Sequence, residues 1–476
     1  MKILKYFTVL LIVFCLTPSC DDFLTFAPSD QMSDTESFKT AEDVQNAING
    51  LYNRFGFWRF MGRNVIALGD IAADNSWMTG SSGHFDQIYR YNIADDSPDL
   101  LDTWSGGYIV ANGAAKVIKN APDVLANTVG TENKNIVNKN LAQAYALKAM
   151  SHFYLVNIFG LPYNDANKSK PGIIIIKDEP IVAFQEVTRG TVEEVYAQIL
   201  SDISKAKETI ALNTFEAFTI NETSLTAFEA RVKLYMGDWQ GAITAAQKAI
   251  DLRKGAIVTD AAEYASMWAS LNVTSEDIFT IAKSPDDNLS ANSLNTLYGS
   301  YNGKLLPGLV ELFAAKDMRK SLIAGTADQP TGLKFQGIPD SKATSNIPVI
   351  RLPEMYLIIA EAKAQLGQAD AVDFIYEIAK RNPDLKKSDI PTTKTELLKF
   401  ISIERRKELL EEHISLKKGN NSLYSPADLL DWLTDALALG VSRFDHLDEL
   451  KNDPGYLLTK GLERFPDEST FRNRYD

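Results

Sequence analysis

Apolar residues recur at three- and four-residue spacing along most of this 476-residue chain, a pattern typical of amphipathic helices. The first predicted helix begins after Thr40, where Asp43 completes a capping sequence and the apolar positions fall on one face. These positions are Val44, Ala47, Ile48, Leu51 and Tyr52. Further helices are predicted over about residues 105–118, 139–159 and 191–209. The pattern therefore predicts a mainly helical protein.

Two segments repeat the same spacing of small residues, and in each a glycine separates two apolar helices. The repeated positions are Ala230, Gly237 and Ala249, and then Ala360, Gly367 and Ala379. Tetratricopeptide repeats space their helix pairs in this way, although chance helix pairs in an Ala-rich chain also produce the pattern occasionally. The helix at 139–159 lacks such a close partner, and we expect it to pair with 191–209 across a strand-like run at 173–176. We predict an all-α scaffold of tetratricopeptide-like helix pairs, with long irregular loops and a few short strands.

The first twenty residues have the charged, then apolar, then small layout of an export signal. The signal peptide is predicted over residues 1–19, and Cys20 follows as the position that is lipidated in bacterial lipoproteins. The other cysteine, Cys15, lies in the removed segment, so no intrachain disulfide is possible in the mature chain. An ordinary signal peptide that happens to contain Cys20 is the alternative. Lipidation of Cys20 would hold the protein at a membrane surface.

The charge balance and the polar motifs exclude several classes of function. The chain has a formal net charge of -13 and no basic patch, which argues against nucleic acid as a partner. Its four histidines lack the spacing of a zinc site, and no phosphate loop or nucleophile elbow is present. The acidic run Asp95, Asp96, Asp99 and Asp102 lacks the glycine of a calcium loop and is predicted to be solvated. We therefore expect no metal, no cofactor and no catalysis.

Several separate segments share the motifs of one protein family, in the order in which that family carries them. They are 20–24 with Pro28, 38–43, 49–52, the helix from 144 that ends in Phe-Gly-Leu-Pro at 159–162, 188–196, 352–357 with 360–362, and Glu-Arg-Arg-Lys-Glu-Leu at 404–409. Together these segments resemble the SusD/RagB family of outer-membrane lipoproteins, over nearly the whole chain. Two segments depart from the family pattern, namely 411–416 and the C-terminal 464–467. These departures suggest a divergent subfamily.

The resemblance implies a single SusD-like domain over residues 20–476, with an N-terminal part to about 215 and a C-terminal part from about 216. It implies a lipid-anchored protein of the outer membrane that faces the cell exterior and is not an enzyme. Such a protein would bind oligosaccharides and deliver them to a SusC-like TonB-dependent transporter. Two alternatives remain: a RagB-like lipoprotein that captures peptides, and a glycoside hydrolase on a helical scaffold, since any acidic chain offers paired carboxylates.

Sugar rings offer flat apolar faces rimmed by hydroxyls, so a glycan site needs exposed aromatic rings beside polar side chains. The first candidate is the polar stretch that contains Asp74, Asn75 and Trp77, unless the Trp77 ring folds back onto the scaffold. The second lies within 284–304 and has little helical periodicity. Its candidate residues are Asn292, Asn295, Tyr298, Tyr301 and Asn302. Trp104 and Trp239 are predicted to be packing residues, and Trp58 fits either class.

Overall fold

The computed structural model describes residues 37–73, 75–78, 83–90, 93–94, 96–209 and 214–409. Cys20 and Asp74 lie outside the described residues, as do the two segments, 411–416 and 464–467, that depart from the family pattern. The described chain is mostly helical, with four separate two-stranded antiparallel sheets. The predicted all-α scaffold with a few short strands is confirmed. None of the described helices is both long enough and apolar enough to cross a bilayer.

The N-terminal part is a layer of long helices. Its elements are α1 (Ala41–Phe55), α2 (Asn64–Ala72), β1 (Ser76–Met78), α3 (Asp86–Tyr89), α4 (Pro98–Asn127), α5 (Thr131–Phe159), β2 (Pro171–Ile174), β3 (Arg189–Thr191) and α6 (Val192–Thr209). The predicted cap of α1 is present, because the Thr40 hydroxyl accepts from the Asp43 N–H and the Asp43 carboxylate accepts from the Thr40 N–H. Capping of this kind fixes where a helix begins.

The C-terminal part contains shorter elements. Its helices are α7 (Glu222–Met236), α8 (Trp239–Arg253), α9 (Ala261–Met267), α10 (Leu294–Tyr298), α11 (Pro307–Val310), α12 (Leu352–Gln365), α13 (Ala371–Ala379) and α14 (Lys394–Glu408). Its strands are β4 (Asp277–Ile281), β5 (Gly303–Leu305), β6 (Ile323–Gly325), β7 (Pro330–Gly332) and β8 (Ile347–Arg351). Short 3-10 turns occupy Ser290–Asn292, Met318–Leu322 and Lys387–Asp389. The strand pairs are β1 with β5, β2 with β3, β4 with β8, and β6 with β7.

The repeated small residues occupy the predicted helix pairs α7–α8 and α12–α13. Gly237 and Gly367 end the first helix of each pair with φ of +77° and +72°, values that glycine adopts without strain. The four repeated alanines, at 230, 249, 360 and 379, are completely buried. The close approach inferred from their spacing is confirmed.

Two expectations about the long helices are corrected. The second predicted helix, over about 105–118, is in fact the 30-residue α4, and α5 begins eight residues before the predicted start at 139. In addition, the helix expected to lack a close neighbour, α5, packs against α4 as well as α6. A three-residue link joins α4 to α5. Burial of the extra turns against α5 extends α4 through Pro122, where local propensity alone predicts a break.

The helix directions place one end of α4 far from the start of α1, the first described helix. Gln45 on α1 bonds Asn140 on α5, and the Phe55 ring lies 6.5 Å from the Tyr154 ring, so α1 and α5 run parallel. Because α4 and α5 form an antiparallel hairpin, α1 begins near the C-terminal end of α4. The N-terminal end of α4 lies about 45 Å away along that helix.

Buried arginines join distant parts of the chain. Arg231 donates to both carboxylate oxygens of Glu354, at 2.6 Å each, and to the Tyr154 hydroxyl at 2.7 Å. These bonds connect α7, α12 and α5. A second network pairs Arg351 and Arg381 with Glu276 and Glu408, which fastens α14 to β4 and β8. The three neighbouring cations Arg381, Arg351 and Arg319 hold the pKa of Glu408 well below its usual range, against the opposing effect of burial.

Candidate functional site

The loop between α1 and α2 presents a buried arginine between two aromatic rings. The guanidinium carbon of Arg63 lies 4.7 Å from the centre of the Trp58 ring and 5.4 Å from that of Phe85. Its Nε donates to the Asn64 side-chain oxygen at 3.0 Å, and Nη1 donates to Asn292 Oδ1 at 3.2 Å. Arg63 therefore connects this loop with the 3-10 turn that ends at Asn292.

A second pair of rings lies beside Arg63. The His84 and Tyr301 rings are stacked, with centroids 4.8 Å apart and planes 23° apart, and both residues are half-buried. Burial, and then the charge of Arg63, lower the pKa of His84, so its imidazole is neutral at neutral pH. We call Trp58, Arg63, His84, Asn292 and Tyr301 the aromatic face. It offers two ring systems beside a guanidinium and an amide.

Trp77 lies at the other end of the short helix α3 from His84. It is on β1, opposite Lys304 of β5, and its ring centre is 6.1 Å from that of Tyr89. The indole ring is half-buried, and its N–H is shielded from solvent without an acceptor among the described residues. The ring is thus neither fully folded back onto the scaffold nor fully exposed.

Asn75 and Tyr298 support this region instead of forming its surface. The Tyr298 ring is only 2% exposed, and its hydroxyl donates to Asp70 Oδ2 at 3.0 Å. The Asn75 amide donates to Asp70 Oδ1 at 3.4 Å, while its oxygen accepts from Arg406 Nε at 2.6 Å. This placement differs from the expectation that both side chains face a ligand, because α10 turns Tyr298 inward. Asp70 thus ties the start of β1 to α10, and Asn75 ties it to α14.

The remaining sequence candidates are divided between surface and core. Asn295 donates to Ser345, and Asn302 is exposed with φ of +60° in the turn before β5. Trp104 packs edge-on against Phe159, with ring centroids 5.0 Å apart, so its predicted packing role is confirmed. Trp239 also packs partly buried against the main core, as predicted.

Carboxylates border the aromatic face at the N-terminal end of α4. Asp102 pairs with Arg59 at 3.0 Å, and Asp99 accepts from the Phe85 backbone N–H at 3.1 Å. Burial raises the pKa of Asp99. Within the described part of the chain, no three His, Cys, Asp or Glu side chains form a group that could hold a metal ion.

Sequence reasoning missed Arg63 and His84 as members of the site. Nothing in the local pattern distinguishes Arg63 from an ordinary surface cation, and His84 follows a glycine-rich stretch without any motif. The sequence does not decide whether Trp58 belongs to the core or to the surface. The one local indication of a surface site is the cluster Phe57-Trp58-Arg59, which lies in a break between two helices.

The geometry of the aromatic face suits a ligand with flat apolar faces and hydroxyl groups. Aromatic rings stack on such faces, while amide and guanidinium groups bond the hydroxyls. The contributing residues come from segments more than 200 positions apart in sequence, which only the packing of α2, α3 and α10 brings together. Such a convergence of rings and polar groups on a half-buried surface is typical of a binding site.

Comparison with known protein families gives two matches. Residues 22–236 match a family model described as starch-binding and associating with the outer membrane, and residues 328–414 match the model of the SusD family. The second match begins after the loops of the aromatic face and covers α12 to α14.

Individual relatives agree with these matches. One SusD-like protein of Formosa agariphila is 29% identical over 254 residues, which cover 52% of this chain but only 46% of that relative. Another from the same organism is 22% identical over 457 residues, which cover 83% of this chain and 86% of the relative. A SusD superfamily protein of Bacteroides thetaiotaomicron, known from its crystal structure, superposes with a TM-score of 0.71 at 25% identity. That match covers 79% of this chain and 88% of the other.

The family models, the relatives and the superposed structure all identify the same family, which is also the one that the sequence motifs resemble. The chain belongs to the SusD/RagB family.

Proposed function

We propose that this protein is a lipoprotein of the outer membrane that binds oligosaccharides at the aromatic face. The observation that carries the proposal is the stacked His84–Tyr301 pair, with centroids 4.8 Å apart, beside the Trp58 ring and the Arg63–Asn292 hydrogen bond. This combination supplies ring surfaces and hydrogen-bonding groups, the two kinds of contact that a sugar requires. The description of the matched family as starch-binding supports the same ligand class.

The proposal assigns different roles to the residues predicted from the sequence. Tyr301 and Trp58 provide ring surfaces, and Asn292 and Arg63 bond hydroxyl groups. Trp77 extends the site along α3 through its half-buried ring, and its indole N–H has no acceptor among the described residues. Asn75 and Tyr298 hold β1 and α10 in place through Asp70. The protein binds its ligand without chemical turnover.

The partner of this proposal is a SusC-like TonB-dependent transporter, to which the bound oligosaccharide is delivered. A lipid anchor on Cys20 would hold the protein at the outer surface of the membrane. The first described helix, α1, begins near one end of α4, and the aromatic face lies at the other end, about 45 Å away. A tether that joined the folded chain at the start of α1 would leave the face free to meet a ligand.

The binding proposal is tested by calorimetry of residues 21–476 against a panel of oligosaccharides, with peptide mixtures as the contrasting set. Saturable heat with one glycan class, without release of smaller products, supports the proposal. Saturable heat with peptides alone favours peptide capture, and release of shortened glycans favours a hydrolase. Either outcome contradicts the proposed function.

The transporter proposal has a separate test. The full chain is extracted from its native membrane in mild detergent and purified through a C-terminal tag. We expect a large outer-membrane transporter to be recovered with it in near-equal amounts. If the protein is recovered without any such transporter, the delivery step is wrong even when glycan binding is observed.

A further inference from the structure

Arg63 differs from the other buried arginines in its partners. The described part of the chain has five arginines that are at most 2% exposed, namely Arg63, Arg231, Arg319, Arg351 and Arg381. Four of them contact a carboxylate, with closest distances of 2.6 Å for Arg231, 2.7 Å for Arg319 and 2.6 Å for Arg351. Arg381 lies 2.5 Å from Glu408. Arg63 has no carboxylate within 4.0 Å in the same part of the chain.

Among the described residues, all direct partners of Arg63 are neutral. They are the amide oxygens of Asn64 and Asn292 and the faces of the Trp58 and Phe85 rings. The two nearby carboxylates have other partners, since Asp102 pairs with Arg59 and Asp99 accepts from the Phe85 N–H. Burial lowers the pKa of Arg63 despite the opposing charges of Asp99 and Asp102, whereas the contacting carboxylates raise the pKa of Arg231 and Arg319 despite burial.

A buried cation without a counter-ion is costly, and proteins generally place an anion beside it. The guanidinium of Arg63 uses Nε and Nη1 for its two amide partners, while its Nη2 donates to no described residue. Guanidinium groups bind planar carboxylates and tetrahedral sulfates through paired hydrogen bonds, which makes arginine well suited to such anions. The group contacts the Trp58 ring and the Asn292 amide, so a ligand on the aromatic face would lie next to it.

We propose that the ligand of the aromatic face is an acidic oligosaccharide, whose carboxylate or sulfate group binds Arg63 while its sugar rings stack on Trp58 and Tyr301. This inference rests on the proposed function and adds the charge class of the ligand. The anion of the ligand would act as the counter-ion of Arg63, whereas the four other buried arginines pair with carboxylates of the protein.

The test compares acidic oligosaccharides with chemically matched neutral ones by calorimetry. Uronic-acid oligosaccharides are paired with their carboxyl-reduced forms, and sulfated oligosaccharides with their desulfated forms, so that the two sources of the anion are distinguished. We expect one acidic form to bind at least about tenfold more tightly than its neutral partner, which corresponds to about 1.4 kcal/mol. The difference should shrink as the salt concentration is raised.

Variants of Arg63 separate charge recognition from a structural role. Arg63→Gln should reduce the preference for the acidic form to less than about twofold, whereas Arg63→Lys, which keeps the charge, should retain part of it. Arg90→Gln is the matched control, because Arg90 is an exposed cation at the end of α3 that pairs with Asp86. That variant should keep the full preference. If Arg63→Gln does not fold, the preference of Arg63→Lys for the acidic form is compared with that of the wild type instead.

The outcomes distinguish this inference from the proposed function. Binding of neutral glycans only, or equal binding of both forms, overturns the inference and leaves glycan binding intact. If Arg63→Gln loses affinity equally for the acidic and the neutral oligosaccharide, the inference is also overturned, since Arg63 would then bond hydroxyl groups. Absence of binding to every glycan contradicts the proposed function itself.

Discussion

At the scale of single residues, the aromatic face depends on rings that remain partly exposed. Tyr298 and Tyr301 are three residues apart, yet one ring is buried beside Asp70 and the other is stacked on His84 at the surface. Both tyrosines satisfied the same sequence criterion. The sequence pattern does not distinguish the two tyrosines, whereas the end of α10 determines which of the two rings faces solvent.

Replacement of Tyr301 tests the aromatic face directly. Tyr301→Ala should weaken glycan binding about tenfold or more, because a ring that stacks on a sugar contributes about 1–2 kcal/mol. Calorimetry measures the change. Phe184→Ala is the control, since Phe184 is a fully exposed ring outside the face and its loss should leave binding unchanged. Equal affinity of the Tyr301 variant and the wild type would remove Tyr301 from the site.

Asp202 gives a pH-dependent contribution to stability. Burial raises the pKa of Asp202 to about 6, against the opposing effect of Lys148, whose Nζ is 3.2 Å from Asp202 Oδ1. The pKa of Asp202 in the folded protein lies above its ordinary value. Its contribution to the free energy of unfolding is therefore largest below about pH 4 and is lost as the pH rises through 6.

The variant Asp202→Asn mimics the protonated side chain and removes this dependence. Its free energy of unfolding, relative to wild type, should rise by up to about 3 kcal/mol between pH 4 and pH 7.5. Urea unfolding at a series of pH values measures the difference. Asp165→Asn, which replaces an exposed carboxylate, serves as the control for the loss of one negative charge. A parallel pH profile for the Asp202 variant and the wild type would contradict the prediction.

At the scale of elements, glycines that end the repeat helices fix the helix pairs. Gly367 has φ of +72°, and a Cβ at this position would meet nothing within 4 Å. Gly367→Ala should therefore cost about 1–2 kcal/mol through backbone strain alone. Gly50→Ala is the matched control, because Gly50 lies inside α1 with equally open surroundings, and alanine should stabilise that helix by about 0.5–1 kcal/mol. Thermal unfolding measures the change in midpoint temperature for each variant. A change of the same sign in both variants would contradict the prediction.

The support beneath the aromatic face is carried by Asp70. Asp70→Ala removes the acceptor of both Tyr298 and Asn75, so it should weaken glycan binding although Asp70 is buried away from the ligand. Tyr298→Phe removes only one of these bonds and should cost about 1 kcal/mol of stability with a smaller effect on binding. Calorimetry and urea unfolding report the two effects. A stable Asp70→Ala protein with unchanged affinity would show that β1 and α10 hold their positions without this carboxylate.

At the scale of the whole molecule, the chain is organised around a long helix with different roles at its two ends. The N-terminal end of α4 borders the aromatic face, and α1 begins near the other end. Buried ion pairs fasten the C-terminal helices to the rest, and Arg406 on α14 connects the last described helix to Asn75 beside the site. The C-terminal helices therefore reach the site through hydrogen bonds.

The proposed anchor is tested in the complete chain. Cys20→Ser should release the protein from the membrane fraction, because the thiol that would carry the acyl chains is absent. Fractionation followed by immunoblotting measures the distribution, and glycan binding by the released protein should equal that of the wild type. Retention of the serine variant in the membrane fraction would favour an ordinary signal peptide or another mode of attachment.

The sequence by itself determined the mainly helical character, the cap at Thr40, the glycines at 237 and 367, and the family. These features depend on the spacing of apolar, small and capping residues, which is visible locally along the chain. The tertiary structure decided which side chains form the aromatic face, because Trp58, His84 and Tyr301 are brought together only when α2, α3 and α10 pack. It also decided that Arg63 is buried without a contacting carboxylate among the described residues, since burial and ion pairing depend on contacts between residues far apart in sequence.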